Sequence, residues 1–470
     1  MTENMIEEQK ALQLITSGEI LFVDLRFTDI RGAWQHMTMT AHEFTPENIK
    51  KGFGFDGSSI KGFNSIFESD MLLMPDMETP FLDPFYEKTL IVICDVYDPI
   101  TREPFERDPR YTAKKAEAYL KKTGVGTISY WGPEIEFFVF DKLAIGLHPH
   151  NSFINIESSE IPDFPQEGHD GYKIMTKSGY FPTPPFDKLQ AFRSEMVTIL
   201  ESIGITVEVH HHEVATGGQV EIDMRYGTLV ATADNVMKYK YVARNVAKKY
   251  GMTATFLPKP IAGDNGSGMH THQSIFKAGK NVFFDPKGYA ELSKPALSYA
   301  AGLLSHLRAL LGITNSTLSS YRRLVPHYEA PTAIAFSKRN RSAAVRVPMY
   351  FMNDEKSKRL ELRCPDPTTN PYLSFSAQLV FGLDGIAKKL DPTKEGFGPF
   401  EENIWEKSRV KQTPQSLVET LGFLRKDKTL VESGVFAQSL LTNYLDIKTT
   451  EMRESLLYPT PADFWFNGDL

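Results

Sequence analysis

A two-domain α+β protein is the fold class the sequence predicts, and three observations predict it. Up to residue 100 the chain reads as strands with little helix between them. A stretch dense in proline and charge, TREPFERDPR, then interrupts it, and beyond that stretch short strands alternate with long helical segments. With 470 residues there is length for two sizeable cores. We divide the chain into residues 1–107 and 108–470.

Taken in order, residues 4–17 carry Met5, Ile6, Leu12, Leu14 and Ile15 at helical spacing and stop at Gly18, which predicts a helix. ILFVDLRFTDIRGAWQHMTM predicts two strands about a turn at Asp29 to Gly32, and KTLIVICDVYDP a further strand ended by Pro99. TAKKAEAYLKKTG opens the second domain as a helix, and GPEIEFFVFD follows as a buried strand. Residues 143–170, with several Pro, Gly and Ser, predict a long surface loop. KLQAFRSEMVTILESIG and TADNVMKYKYVARNVAKKYG predict helices.

Composition narrows the function classes. Fifty-two basic against 59 acidic residues leave a net charge of −7, which argues against nucleic acid or an anionic membrane as the main partner. Cys94 and Cys364 are the only cysteines, so no disulfide framework is expected. The first twenty residues are polar and acidic, without the apolar centre of a signal peptide, and no apolar run has the length to span a bilayer. A cytoplasmic protein is the expectation.

The informative motifs are acidic. Glu134 and Glu136 lie one residue apart in GPEIEFFVFD, and strand side chains alternate, so both point to one face. That face runs on into Phe138 and Phe140, while Ile135, Phe137 and Val139 cover the other. A wet sheet face explains an isolated E-x-E. An acid on a face that ends in aromatics needs a cationic companion wherever it is buried. In VHHHEVATGGQVEID, Gly217-Gly218 predicts a hairpin that sets Glu213 and Glu221 as near cross-strand partners; VEIDMR also reads as an ordinary strand and His210 to His212 as surface. NGSGMHTHQSIF combines a loop through Asn265, Gly266, Ser267 and Gly268 with His270, His272 and Ser274 on one strand face. KRLELRCPDP places Glu361 between Arg359 and Arg363, either a surface salt-bridge ladder or a metal ligand flanked by phosphate- and carboxylate-binding groups. KRNRSAAVR adds Arg339, Arg341 and Arg346. Five glutamates and one histidine suit two hard divalent ions better than zinc, and there is no P-loop sequence. The residues alone predict metal-dependent phosphoryl transfer with a carboxylate substrate.

Together these pieces resemble glutamine synthetase of the bacterial class I type, along nearly the whole chain: FVDLRFTDIRG, GFDGSSIKGF, GPEIEFF, HHHEVATGGQVE, NGSGMHTHQS, YRRLVPHYEAP, RNRSAAVR and LELRCPDP, in the family's order. The resemblance implies an N-terminal β-grasp domain, a C-terminal α/β catalytic domain, and twelve subunits in two stacked rings with active sites between neighbours. It implies two Mg²⁺ or Mn²⁺ per site, one held by Glu136, Glu213 and Glu221, the other by Glu134, His270 and Glu361. Glutamate would be held by Asn265, Gly266, Arg323 and Arg363. ATP, the co-substrate, would meet Glu208, His272, Ser274, Arg346, Lys356 and Arg359, with Arg341 near the transferring phosphoryl group. Asp56 of a neighbouring subunit would deprotonate ammonium in a pocket with Ser59 and Tyr180, and Glu329 would close over the intermediate.

The implied chemistry is ligation of ammonia to glutamate through γ-glutamyl phosphate, which turns a poor electrophile into one with phosphate as leaving group. Three departures stand out. Trp405 of ENIWEKS occupies the place of the tyrosine adenylylated in many relatives, so that control is not expected there. His327 of VPHYEAP replaces a usual glycine in the flap. The tail YPTPADFWFNGDL departs from the usual ending but keeps apolar residues at 464–466, and ring locking by the tail is still expected. Two rivals share the pattern: a γ-glutamyl ligase for another amine, such as a polyamine, and a ring-forming structural or regulatory relative. A nitrogen-regulatory protein partner is compatible with either activity.

Overall fold

The structure is a computed structural model describing residues 6, 8–161, 173–406 and 410–467. In the N-terminal part, Thr89–Tyr97 (TLIVICDVY) is buried on both faces from Leu90 to Cys94, as a strand at the centre of a sheet must be. It pairs in parallel with Phe22–Thr28 and antiparallel with Asp70–Pro75, while Trp34–Thr40 and Phe53–Asp56 form the edges. The turn predicted at Asp29 to Gly32 is there, joining strands in register from Phe22↔Thr40 to Thr28↔Trp34. The first helix runs Glu8–Thr16 and ends before Gly18; the residues predicted ahead of it, apart from Ile6, lie outside the described set.

The C-terminal part is built on one large sheet. In order, its strands are Val207–His212, Gln219–Met224, Ile128–Phe140, Met269–Lys277, Leu360–Leu362, Ala343–Val347 and Ala333–Lys338. All neighbours on this path are antiparallel except the last pair. Ile135, Phe137 and Val139 belong to the main core, where Phe137 meets the rings of Phe192 and Tyr239 from the helices Gln190–Ser202 and Leu229–Lys249. The opposite face of the same strand carries Glu134 and Glu136 and ends in Phe138 and Phe140. Those two aromatics form a separate small cluster with Ala215, Leu143, Ile156 and Ile261. Acids and aromatics share a face because the aromatics are capped by other chain segments.

One expectation is corrected. Residues 142–157 are a hairpin, Lys142–His148 paired with Asn151–Glu157, rather than part of a surface loop. The alternation of Leu143, Ile145 and Leu147 against Ile154 and Ile156 outweighs the local Pro and Ser content. Residues 162–170 of the predicted loop lie outside the described set.

A buried charge network joins the two parts. Arg110, 3% exposed, bridges Asp95 (2.7 Å) and Asp76 (2.8 Å) of the N-terminal sheet to Asp234 (2.9 Å) of the helix Leu229–Lys249. Tyr372 donates to the same Asp234 at 2.6 Å. Asn370 caps the central helix Pro371–Ala387 and donates from its amide to the carbonyls of Asp29 and Ile30. No single helix among the described residues is long and apolar enough to cross a membrane.

Replacing Arg110 by Met should remove the guanidinium that pairs Asp234 and leave Asp76 and Asp95 to Lys114 alone, at a cost of about 3–5 kcal/mol. Urea unfolding would register this as a large fall in midpoint. An unchanged midpoint would mean that apolar packing alone joins the two parts.

Candidate functional site

The acids of the large sheet meet in one cleft because register forces them together. Glu136 stands opposite Glu221 on the neighbouring strand, and Glu134 stands opposite His270 on the other side. Glu361 faces His272 across the next pairing. Glu134 contacts His270 Nδ1 at 3.2 Å and His272 Nε2 at 2.6 Å, while His270 Nδ1 lies 4.0 Å from Glu361. Glu361 is fully buried and accepts from Arg346 at 2.5 Å and Arg363 at 2.6 Å.

The hairpin contributes a second group, with an offset from the predicted pairing. Its strands close as His211↔Glu221 and His212↔Val220, so Glu221 faces His211 and Glu213 sits just past the strand end. The turn from 213 to 218 is held from elsewhere in the chain: Asp264 accepts from Thr216 N–H, and Gln219 from Ala215 N–H. Glu213 and Glu221 nevertheless reach the cleft, 3.6 and 3.7 Å from His211.

Among the described residues, two sets of donor atoms are close enough to share an ion: Glu134 with His270 and Glu361, and His211 with Glu213 and Glu221. Glu136 lies between them, 3.7 Å from His270, with one oxygen engaged by Gly268 N–H and Gln219.

Electrostatics separate these acids into two kinds. Burial pushes the Glu361 carboxyl up, but Arg363, His272 and Arg346 outweigh it and hold it at about 2. Burial likewise opposes ionisation of Glu134, and His272 and His270 overcome it, holding that carboxyl well below the usual range. Glu136 is pushed up to about 8 by burial and by Glu213, and Glu213 to about 7 chiefly by burial. Glu221 and Asp223 are raised well above the carboxylate range, first by burial and then by neighbouring acids. Burial, with Arg363, drives His270 down to about 4, which keeps its imidazole neutral. One oxygen of Asp223 is buried without a hydrogen-bond partner among the described residues. Oxygen donors short of positive charge, together with neutral imidazoles, fit hard divalent cations.

Around this centre the remaining predicted residues divide between two cavities. Tyr180, Asn265, Gly266, Arg323, Glu329, Arg341 and Arg363 line the inner, acidic cleft. Arg323 donates three of its five N–H groups to the carbonyls of Arg363, Cys364 and Pro365, and a Cβ at Gly268 would come within 2.5 Å of its guanidinium. Arg341 lies 4.0 Å from Glu329. The outer cavity, about 530 Å³, contains Glu208, His272, Ser274, Lys356 and Arg359, with Tyr130, Tyr226, Phe276 and Phe351 as aromatic walls. Glu134, Asp223 and Tyr350 line both cavities and form the waist between them. Arg346 is in the inner cleft and donates to Tyr350 at 3.1 Å.

Asp56 and Ser59 line neither cavity. Asp56 is exposed on the N-terminal sheet edge, accepting from Ser58 and Ser59, and these bonds hold its carboxyl below the usual range. The motifs did not single out His211, Gln219, Asp223 or Tyr350. Asp223 carried a signal, since it follows Glu221 at strand spacing; Tyr350 carried none.

Comparison with known proteins follows the same two-part division. Residues 19–99 match the family described as "Glutamine synthetase, beta-Grasp domain" and residues 106–466 the one described as "Glutamine synthetase, catalytic domain". The chain is 48% identical over 469 residues to a glutamine synthetase from Aquifex aeolicus, covering 98% of this chain and 99% of that one. It is 46% identical over 465 residues to a 3-hydroxylaminophenol mutase from Cupriavidus pinatubonensis, covering 96% and 97%. The cryo-EM structure of Plasmodium falciparum glutamine synthetase superposes with a TM-score of 0.88 at 26% identity, covering 98% of each chain.

Glu136 and Glu213 titrate near 8 and 7 in the fold, against an ordinary value of 4.5. Folding therefore favours their protonated forms, and the stability they contribute is lost as pH rises through those values. Metal-stripped protein should melt at progressively lower temperature from pH 5 to pH 8. Mg²⁺ or Mn²⁺ at about 100 times its Kd should restore about 2.7 kcal/mol, and Glu221→Gln should flatten the metal-free profile. Profiles that coincide with and without the ion would exclude the cluster as a cation site.

Proposed function

We infer the reaction from one premise: the chain belongs to the glutamine synthetase family. It is a glutamate–ammonia ligase that forms glutamine at the expense of ATP. The observation that carries this reading is the waist at Glu134, Asp223 and Tyr350, which joins a cavity suited to a nucleotide to a cleft suited to an amino acid. A γ-phosphoryl group entering from the aromatic side reaches a carboxylate held among arginines on the other.

The residue roles are our proposal. Glu208, His272, Ser274, Arg346, Lys356 and Arg359 hold ATP. Asn265, Gly266, Arg323 and Arg363 hold glutamate, with Arg323 lending charge while three of its five N–H groups fix it to backbone carbonyls. Two Mg²⁺ or Mn²⁺ fit the acids, at Glu136, Glu213 and Glu221 with His211 beside them, and at Glu134, His270 and Glu361. When bound, they would offset the charge on the phosphates and on the glutamate carboxylate. Arg341 stabilises the transferring phosphoryl group. Glu329, at the cleft rim, covers the acyl phosphate against water.

Ammonium must lose a proton before it can attack, and Asp56 is the base, with Ser59 and Tyr180 completing its pocket. The bonds from Ser58 and Ser59 keep that carboxylate ionised and able to attract the cation. Since Asp56 lines neither cavity of its own chain, a neighbouring subunit would supply it, which supports a ring assembly. Exposed apolar residues on the hairpin (Ile145, Leu147, Ile154) and near the C-terminus (Leu456, Leu457, Trp465, Phe466) support stacking of two such rings into a dodecamer. We retain the division at residue 107, a cytoplasmic location, the absence of adenylylation at Trp405 and a possible regulatory protein partner as parts of this reading.

The test is phosphate release from ATP with glutamate and Mg²⁺ or Mn²⁺, with ammonium, polyamines or small alkylamines. Glutamine formed in step with ammonium-dependent phosphate supports the reading. Release only with a larger amine moves the substrate, and none from folded, assembled protein removes the activity. For the shared site, Asp56→Ala and Glu361→Gln subunits should each lose about 100-fold or more in rate. Dissociated and reassembled together, they should regain activity at sites that pair one good face from each. No recovery in the mixed ring would place Asp56 within its own chain's site.

A further inference from the structure

His327 and Trp405 are the two departures that the reaction scheme leaves unused, and they touch. Their rings lie 5.9 Å apart, inclined by 59°. Each belongs to a segment with a separate tie to the active site. The loop carrying Trp405 is tethered to the residues that flank Arg341. Asn340 donates to the carbonyls of Phe400 (3.0 Å) and Glu402 (2.8 Å), and the Ile404 N–H donates to Ser342 Oγ at 3.2 Å. Ser342 is in turn bonded to Asn340 at 2.6 Å, and Ile404 is buried with Ala333, Ala335 and Ala343. These bonds fasten the loop to the turn that presents Arg341.

The segment carrying His327 ends on Glu329. Both residues have left-handed backbones, at φ of 70° and 59°, a conformation uncommon outside glycine. The half-buried indole of Trp405 packs against the histidine held at this point. Between them, the Tyr328 ring has the ammonium groups of Lys177 and Lys259 each 3.9 Å from its centre. The flap is thus seated by cations at Tyr328 and by an aromatic ring at His327.

We propose that the His327–Trp405 contact is a mechanical joint that makes the placement of Glu329 over the cleft and the placement of Arg341 beside the phosphoryl group a single event. His327 and Trp405 are positioning residues; neither touches a reactant. The joint rests on the reading of Glu329 and Arg341 given above. Without it the flap can open while Arg341 still supports phosphoryl transfer, so water intercepts the acyl phosphate and ATP is spent without glutamine.

The experiment measures glutamine formed per phosphate released, and KM for ammonium and for ATP, on assembled Trp405→Ala, His327→Gly and the double variant. Each single variant should lower the glutamine-to-phosphate ratio and raise KM for ammonium several-fold, with KM for ATP unchanged. The double variant should be no worse than the poorer single, since one contact is lost once. Trp405→Phe should restore the ratio, and it keeps the test available should Trp405→Ala not assemble. Ratios near one in both single variants, or losses that multiply in the double, would overturn the joint. Glu329→Gln separates the two failures: leakage there but not in the joint variants removes the joint alone, whereas tight coupling there removes the role of Glu329 itself.

Discussion

Five acidic side chains, Glu134, Glu136, Glu213, Glu221 and Asp223, line one cleft with Glu361 buried beside it, and their mutual repulsion is the constraint that organises the catalytic half of the molecule. A lone buried carboxylate protonates, and a group of them does so more readily. The fold answers in two ways. Glu361 is paired with the guanidiniums of Arg346 and Arg363, and Glu134 is hydrogen-bonded with His270 and His272. Glu136, Glu213 and Glu221 are left short of positive charge, which is what a site that must accept a cation requires. The same antiparallel register that crowds the acids also fixes their spacing, so the price in stability and the geometry of the site have one origin.

The junction between the two halves follows the same logic with a different answer. Arg110 meets Asp76, Asp95 and Asp234, and Lys114 meets Asp76 and Asp95 as well. Charge there is countered by the protein's own cations, which fixes how the two parts dock. Asn370 adds a second check, because one side chain caps the central helix and reads the backbone of the first hairpin. The sheet edge that carries Asp56 is thereby held at a set angle to the catalytic body.

Much of this was legible in the chain because strand alternation is a local rule. The shared face of Glu134 and Glu136, its aromatic end, and the flanking of Glu361 by arginines all follow from a period of two. Where the reading slipped, the cause was non-local. The 213–218 turn is set by Asp264 and Gln219, one of them from a distant loop, so a hairpin centred on Gly217 misplaces Glu213 by enough to bring His211 into the site. In residues 142–157 the Pro, Gly and Ser content suggests a loop, whereas the hairpin forms with Leu143 and Ile156 packed on Phe138 and Phe140 from elsewhere in the chain. The roles of Asp56 and Glu329 came from family resemblance; neither residue's local sequence carries a chemical signature of its own.

The waist at Glu134, Asp223 and Tyr350 divides labour between two chambers. One handles the energy carrier, and the other selects what becomes activated. In the selecting chamber Tyr180, Asn265, Gly266, Glu329 and Arg341 stand on loops or turns, which tolerate exchange, while Tyr130, Glu208, His272 and Ser274 of the carrier chamber stand on strands. Such a layout is modular: a lineage can inherit the engine intact and retool the inner chamber with a handful of substitutions. A relative 46% identical to this chain bears the name of a mutase, so one sequence pattern carries more than one named chemistry.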